Sequence, residues 1–418
     1  MTPSPRTLAP VYALLAGTAI FLLGNGLLST LTPVRADIQN FSSFWIGWIG
    51  AGYFGGFIVG CYVCPPLVSR VGHIRVFAAL AAAASTVPLL QVMVIHPGAW
   101  VCLRAVIGFC LAGLYMVIES WLNDIATRAT RGSIFGAYMI INLAAMAAGQ
   151  YLLVIADPAK EGLFLIVAIL IAFALIPVAL TRASAPPPPV QASPRLGRLY
   201  RLSPVGLVGC VVVGMANGSF WSLSAVYARD VGLSYAGIAV FVSAAIVGGT
   251  LIQWPLGKIS DTIGDRRKLI AVVSGCASLF SIALVFGKSL PGPSLFGAAF
   301  LFGAAVFSLY GLCVAHANDY AEPADFVQVS AGLLLTFGAG ATVGPIIASA
   351  LMEVAGDAYL FAFTAVAQGA MAAYVLHRVR RREPVEPEAR EQYVATTRTS
   401  PEAFALDPRS QEAPHTAE

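Results

Sequence analysis

Two ionisable side chains, Arg104 and Glu119, stand deep inside apolar stretches of this sequence. A charge at the centre of a bilayer costs ~2.5–3.5 kcal/mol on insertion scales, so each must face protein or water. Glu119 has two readings. Either it takes up a coupling proton or pairs a cationic solute, or it holds helix ends and the nearby Arg128 and Arg131. Arg104 has two as well. It attracts an anionic group, or it snorkels or bonds backbone carbonyls of the first apolar segment. The two sit in one segment, roughly 22 Å apart along a helix, so they are not a contacting pair.

Other polar groups are placed where they can act. Asn25 and Asn217 each precede a glycine inside an apolar run, and Tyr53, Gln150, Trp221 and Tyr310 are polar or aromatic within such runs. Asn beside Gly loosens a helix and frees backbone carbonyls for a solute near the midplane; the alternative is interhelical hydrogen bonds worth ~0.6–2 kcal/mol. His316 either carries a proton or caps a helix beside Asn318 and Asp319. Cys61-x-x-Cys64 lacks the second pair or the histidine that would complete a metal site, and all seven cysteines lie in apolar segments, which argues against a disulfide framework. No loop combines glycines and lysine to cradle a phosphate. We therefore expect no metal and no cofactor, and any transport must draw on a gradient.

The elements that carry these residues follow from composition. The chain has 418 residues, 58% hydrophobic and only 11% charged. A soluble domain carries about 25% charge. Soluble enzymes, nucleic-acid binders and disordered regulators are thereby excluded. Continuous apolar runs, rather than alternating ones, exclude a transmembrane barrel. Twelve segments are long enough to span ~30 Å of hydrocarbon: 8–31, 43–64, 75–95, 99–122, 132–155, 162–182, 204–227, 234–257, 267–288, 293–315, 327–353 and 358–377. The first lacks a small-residue cleavage site and reads as a retained span. The fold class is thus an all-α polytopic membrane protein of twelve helices.

Placing the N-terminus in the cytoplasm puts seventeen Lys and Arg on inside connections and leaves four outside, Arg35, Lys160, Arg229 and Lys288. That bias predicts both termini inside. Residues 183–203, with Pro186–Pro189 and basic residues, read as a stiff cytoplasmic linker between an N-terminal bundle (1–182) and a C-terminal bundle (204–377). Residues 378–418 hold eight of the 21 acidic residues from Glu383 onward and no apolar period, and read as a disordered cytoplasmic tail.

The halves echo one another. Asn25-Gly26 matches Asn217-Gly218, Gly55-Gly56 matches Gly248-Gly249, Ser69-x-x-Gly72 matches Asp261-x-x-Gly264, and Asn123-Asp124 matches Asn318-Asp319. Four pairs in register, each roughly 190 residues apart, indicate parallel internal repeats.

Twelve spans in a six-plus-six arrangement with a basic central loop resemble the major facilitator superfamily. The loop from Gly257 through Asp261, Gly264 and Arg266 to Lys268 is similar to that superfamily's loop signature. Its glycines allow tight turns and its carboxylate bonds a helix end or a basic residue in one state of the cycle. The first-half loop departs from the pattern, with Ser69 in place of the acid and Pro65 in place of the glycine. Arg104-x-x-x-Gly108 with Gly113 resembles the fourth-helix motif. The Gly-Pro signature of drug–proton antiporters is missing between Gly136 and Gly149, and Gly344-Pro345 stands in the eleventh span instead. Tyr53-Phe54-Gly55-Gly56, Ile118-Glu119-Ser120-Trp121-Leu122 and Gln253-Trp254-Pro255-Leu256-Gly257 resemble the YcaD-type group of bacterial transporters.

The resemblance implies a transporter, not an enzyme, in the cytoplasmic (inner) membrane of a bacterium. It implies alternating access between two bundles, with spans 1, 4, 7 and 10 lining the cavity. Asn25, Arg104, Asn217, Trp221 and Tyr310 become cavity candidates, with Tyr53 beside them. Glu119 becomes the proton-coupling candidate, with Asp37 or His316 next. Asp124, Asp261, Gly264, Arg266 and Asp319 become gate candidates. Scarce intramembrane charge points to a small, neutral or weakly charged, partly aromatic solute and to protons as partners. The lipid bilayer is the other partner, no nucleic acid is expected, and the chain reads as a monomer. A proton-independent facilitator is the rival mechanism, and a membrane-embedded receptor or enzyme the rival class.

Overall fold

The computed structural model describes residues 5–127, 130–180, 186, 195–322, 325–381, 383, 385, 390–394, 398–400, 402 and 403. Six helices form the first half: α1 (Pro5–Ile38), α2 (Ser43–Val71), α3 (His73–Met93), α4 (Pro97–Ile125), α5 (Arg131–Tyr151) and α6 (Gly162–Ala179). A short α7 (Leu196–Leu202) follows the linker. The second half comprises α8 (Pro204–Asp230), α9 (Tyr235–Thr262), α10 (Arg266–Val285), α11 (Gly292–Asn318), α12 (Phe326–Ala355) and α13 (Tyr359–Val379). Twelve of these thirteen helices are long and apolar enough to cross a membrane. Several run beyond the sequence-derived spans, α1 to Ile38 and α9 to Thr262, for example. Hydropathy marks only the part that lies in hydrocarbon, whereas the backbone hydrogen bonds continue into polar surroundings. Most of the Pro-rich linker, including Pro187–Pro189, lies outside the described residues.

The two halves pack by one plan. In the first, α2 lies against α4, α3 against α4 and α6, and α1 against α5 and α6. In the second, α9 lies against α11, α10 against α11 and α13, and α8 against α12 and α13. The repeated glycines explain the closest of these contacts. A Cβ on Gly56 would sit 1.9 Å from the Ala105 carbonyl oxygen, and one on Gly108 would sit 1.9 Å from that of Tyr53. In the second half a Cβ on Gly248 would meet the Phe300 oxygen at 2.0 Å, and one on Gly303 the Ala245 oxygen at 2.0 Å. Backbones approach this closely only where the side chain is a hydrogen, which makes small residues the contact surface of membrane helices. Gly108, the last residue of the Arg104 motif, therefore packs helices.

Across the halves, α2 packs on α12 and α8, α5 on α9, and α1 on α8. The side-chain bonds that tie the halves directly cluster towards one end. Arg229 pairs with Asp37, Ser43 Oγ donates to Asp357 Oδ1 at 3.5 Å, and the Phe44 N–H donates to Glu353 Oε2 at 3.3 Å. Ser243 Oγ donates to the Ala147 carbonyl at 3.2 Å. The opposite end carries the basic connections and the start of the tail. We call it the basic end.

Candidate functional site

Between the halves lies a cavity of about 230 Å³, bounded by Tyr53, Phe57 and Cys61 of α2, Asn142 of α5, Phe337 of α12 and Arg398 of the tail. Glu119 on α4 is fully buried and reaches the cavity wall through its bond to the wall residue Thr399. Its carboxylate accepts from Tyr138 Oη at 2.6 Å, from Thr399 Oγ1 and from Ser400 Oγ. Of its two expected structural partners, Arg128 lies outside the described residues, and no ion pair joins Glu119 to any described cation. Three hydroxyl donors satisfy the carboxylate instead. Sequence reading missed Tyr138; it lies on the next helix, and nothing in its neighbourhood marks it.

The cavity candidates fall into two groups. On the first-half side, the Arg104 guanidinium carbon lies 4.8 Å from the centre of the Tyr53 ring, a cation–π contact suited to a desolvated cation. Arg104 Nε and Nη1 have no hydrogen-bond partner among the described residues. Of its two expected roles the carbonyl-bonding one is absent there. Asn25 Nδ2 points at Met146 Sδ, 3.6 Å away, and Met146 lines the cavity. Gln150 bonds Thr30 and the Gly26 carbonyl, and so joins α5 to α1.

On the second-half side, Asn217 Nδ2 returns to its own helix at the Val213 carbonyl (2.9 Å), and its Oδ1 accepts from Arg398 Nη1 at 2.5 Å. Trp221 stacks on Phe307 with ring centres 6.1 Å apart and planes 7° from parallel. Tyr310 meets Phe337 edge-on at 5.2 Å, and its hydroxyl has no partner among the described residues. Phe307 and Phe337 were not legible as site residues, being two among 23 phenylalanines.

At the basic end the loop signature assembles one ionic cluster around the buried Arg266. Arg266 donates to Asp319 Oδ1 at 2.6 Å, to Asp261 Oδ1 at 3.2 Å and to Ser260 Oγ at 2.8 Å. Burial pushes the Asp319 carboxyl up to about 6, against the pull of Arg266. Asp124, the gate candidate of the first half, does not join this cluster. Asp124 is exposed, and among the described residues no ion pair or hydrogen bond joins its side chain to the cluster. The first-half loop lacks the acid that would anchor such a cluster: Ser69 Oγ donates only to the Pro66 carbonyl one turn back. Gly264 offers its carbonyl oxygen to Arg390. The glycine with the unusual backbone is its first-half counterpart Gly72, at φ 92°.

The tail also departs from its expected disorder in the described residues. Thr399 and Ser400 are buried, Ser400 completely. They have hydrogen-bond partners that a free tail lacks.

Twelve apolar helices in two like-packed halves around a central cavity define a polytopic membrane carrier. The chain belongs to the Major Facilitator Superfamily, whose family model matches residues 14–326 and 206–409. It is 30% identical over 358 residues to the uncharacterized MFS-type transporter YcaD of Salmonella paratyphi B, an alignment covering 84% of this chain and 91% of that protein. It is 29% identical over 364 residues to an uncharacterized MFS-type transporter of an Enterobacter species, with the same coverage. Among solved structures it shares the fold of a variant of the nucleoside transporter NupG (TM-score 0.77, 13% identity, 89% of this chain and 100% of that one). It also shares the fold of a bacterial homolog of the human lysosomal transporter Spinster, in an inward-facing and occupied conformation (TM-score 0.74, 13% identity, 94% and 100%).

Proposed function

We propose that this chain is a proton-coupled secondary transporter of a small organic solute, acting by alternating access with its basic end in the cytoplasm of a bacterium. Seventeen Lys and Arg on the connections of that end support the orientation. The direct ties between the halves lie towards the other end, at Asp37–Arg229 and Ser43–Asp357, which supports an inward-facing state. The halves share one packing plan, so each can rock as a body about the cavity between them.

The observation that carries the coupling step is Glu119. It is a carboxyl with no charge partner among the described residues, fully buried, and bonded to hydroxyls. A carboxyl that alternates between dry and wet surroundings holds a proton in one and releases it in the other. Substrate binding need change its proton affinity only tenfold to couple the two events by ~1.4 kcal/mol. The solute is neutral or weakly charged: Tyr53, Phe57 and Phe337 in the cavity wall offer aromatic surface, and Asn142 and Gln253 offer hydrogen bonds. No cofactor enters this cycle, and the chain works as a monomer.

The test begins with a thermal-shift screen for solutes that stabilise the purified protein, followed by counterflow in proteoliposomes. Glu119→Gln should retain binding and counterflow of the solute so found and lose uphill accumulation driven by a pH gradient. Uphill accumulation by the Gln variant would remove Glu119 from the proton path. A wild type indifferent to a pH gradient would make the protein a facilitator.

A further inference from the structure

We propose that the C-terminal tail is a built-in ligand of the transport cavity, which it occupies and closes from the basic end. The inference rests on the reading of that cavity as the transport path. It concerns a segment that composition alone marks as unstructured.

The tail meets the wall in three consecutive steps. First, it caps the ionic cluster. Arg390 donates to the Ile263 carbonyl at 2.5 Å and to the Gly264 carbonyl. The Glu391 N–H donates to Asp319 Oδ1 at 3.3 Å, and the Glu391 carbonyl accepts from Arg266 Nη2 at 2.9 Å. The Tyr393 N–H donates to Asp261 Oδ1 at 2.7 Å. The three gate residues Asp261, Arg266 and Asp319 thus each hold tail backbone as well as one another.

Second, the Tyr393 ring fills a slot that two glycines leave open. A Cβ on Gly257 of α9 would come within 2.6 Å of Tyr393 Cδ1, and a Cβ on Gly311 of α11 within 2.6 Å of its hydroxyl oxygen. A side chain at either position would collide with the ring, so the slot matches its occupant.

Third, the tail enters the cavity and crosses from one half to the other. Arg398 bonds Asn217 on α8, and its guanidinium carbon lies 5.6 Å from the Phe307 ring centre and 5.4 Å from that of Phe337. Thr399 and Ser400 then bond Glu119 on α4 of the first half. Arg398, Thr399 and Glu402 form part of the cavity wall.

The consequence is competitive. Tail groups bond the Asn217 oxygen and the Glu119 carboxylate and form part of the cavity wall, so a solute that reaches either acceptor must displace them. A segment that bonds both halves also blocks their closure at the basic end. Tethering gives such a segment an effective concentration in the millimolar range, so weak individual contacts suffice to seat it. For solute to bind and for the carrier to turn outward, the tail must leave.

The experiment uses the full chain and two readouts that require no transported solute. The first is amide hydrogen exchange of the tail. The Glu391 and Tyr393 amides, bonded to Asp319 and Asp261, should exchange about 100-fold more slowly than in an unstructured peptide. That protection should collapse in the triple variant Arg398→Ala, Thr399→Val, Ser400→Ala. The second is reaction of Cys61, a cavity-wall residue, with N-ethylmaleimide in a chain whose other six cysteines are serine. The same three substitutions should speed labelling about 100-fold, the ratio expected when a seated tail leaves the cavity open about a hundredth of the time. Random-coil exchange in the wild type, or equal labelling of Cys61 with and without the anchors, overturns the proposal. Neither result bears on whether Glu119 couples protons, so the plug and the transport reading can fail separately.

Discussion

Removing Arg266 tests the cluster at the basic end more sharply than any other change. The Arg266 and Asp319 side chains are 1% and 3% exposed, and their ion pair is 2.6 Å long. In Arg266→Met the apolar volume is largely kept, but Asp319 loses its ion pair and Ser260 its partner. Breaking a buried pair from one side costs ~3–5 kcal/mol, because an uncompensated charge stays behind. Burial sets the starting point in the wild type. Burial already raises Asp319 from 3.8 to about 6 with Arg266 in place, which makes its ionised form about 3 kcal/mol dearer in the fold than in water. Without the guanidinium the rise is larger. The sign follows from linkage: a carboxyl raised in the fold takes its proton in the folded state first, so the penalty is full above the folded value and fades as pH falls through it. Arg266→Met should therefore unfold ~6–20 °C below wild type at pH 8. Much of that deficit should disappear at pH 5. Arg266→Met with Asp319→Leu should return to within ~2 kcal/mol of wild type, since a buried pair contributes little net stability over an apolar replacement. Thermal unfolding of purified protein, read by a thiol-reactive dye as buried Cys64, Cys210 and Cys313 become exposed, measures all three. A deficit of under about 1 kcal/mol at pH 8, with no pH dependence, would show that Asp319 is not held in a dry pocket and would refute the reasoning.

Two further outcomes follow from the same geometry. Asp261 holds Arg266 and the Tyr393 amide, while Ser69 bonds only its own helix; Asp261→Asn should therefore change solute exchange in proteoliposomes about fivefold or more and Ser69→Ala less than twofold, and equal effects would deny the asymmetry of the two loops. Gly108→Leu drives a side chain into the Tyr53 backbone and should cost more than ~3 kcal/mol, seen as loss of monodisperse protein on purification, whereas Gly275→Ala, with nothing within 4 Å of the added carbon, should stay within ~0.5 kcal/mol.

What the sequence disclosed, and what it withheld, divides along physical lines. The twelve spans were legible because hydrocarbon thickness imposes a length of apolar chain that no other constraint mimics. The glycine pairs were legible as repeats, and the structure refines their register by one place: Gly56 and Gly248 stand where helix backbones touch. The loop signature located Asp261 and Arg266, but their junction with Asp319, 53 residues from Arg266 in the chain, is made only when α11 packs beside α9. Asp124 stands at the equivalent end but makes no such junction among the described residues, and in its half Ser69 stands where the loop has its acid. The partners of Glu119 were beyond reach for a different reason. Tyr138 and the hydroxyls of Thr399 and Ser400 are common residues in unremarkable settings, and only the fold brings them to one carboxylate. The tail is the clearest case. Low hydrophobicity and eight acidic residues show that a segment cannot build a core of its own. They say nothing about a surface elsewhere in the same chain that already presents the complementary groups. Here that surface offers a slot between Gly257 and Gly311, acceptor oxygens at Asn217 and Glu119 that take tail donors, and a cluster that bonds the tail backbone. Composition measures whether a segment can fold alone; whether it has a seat depends on the cavity it is tethered to, and that cavity exists only once twelve other helices, counting α7, have packed before α13 hands over to the tail.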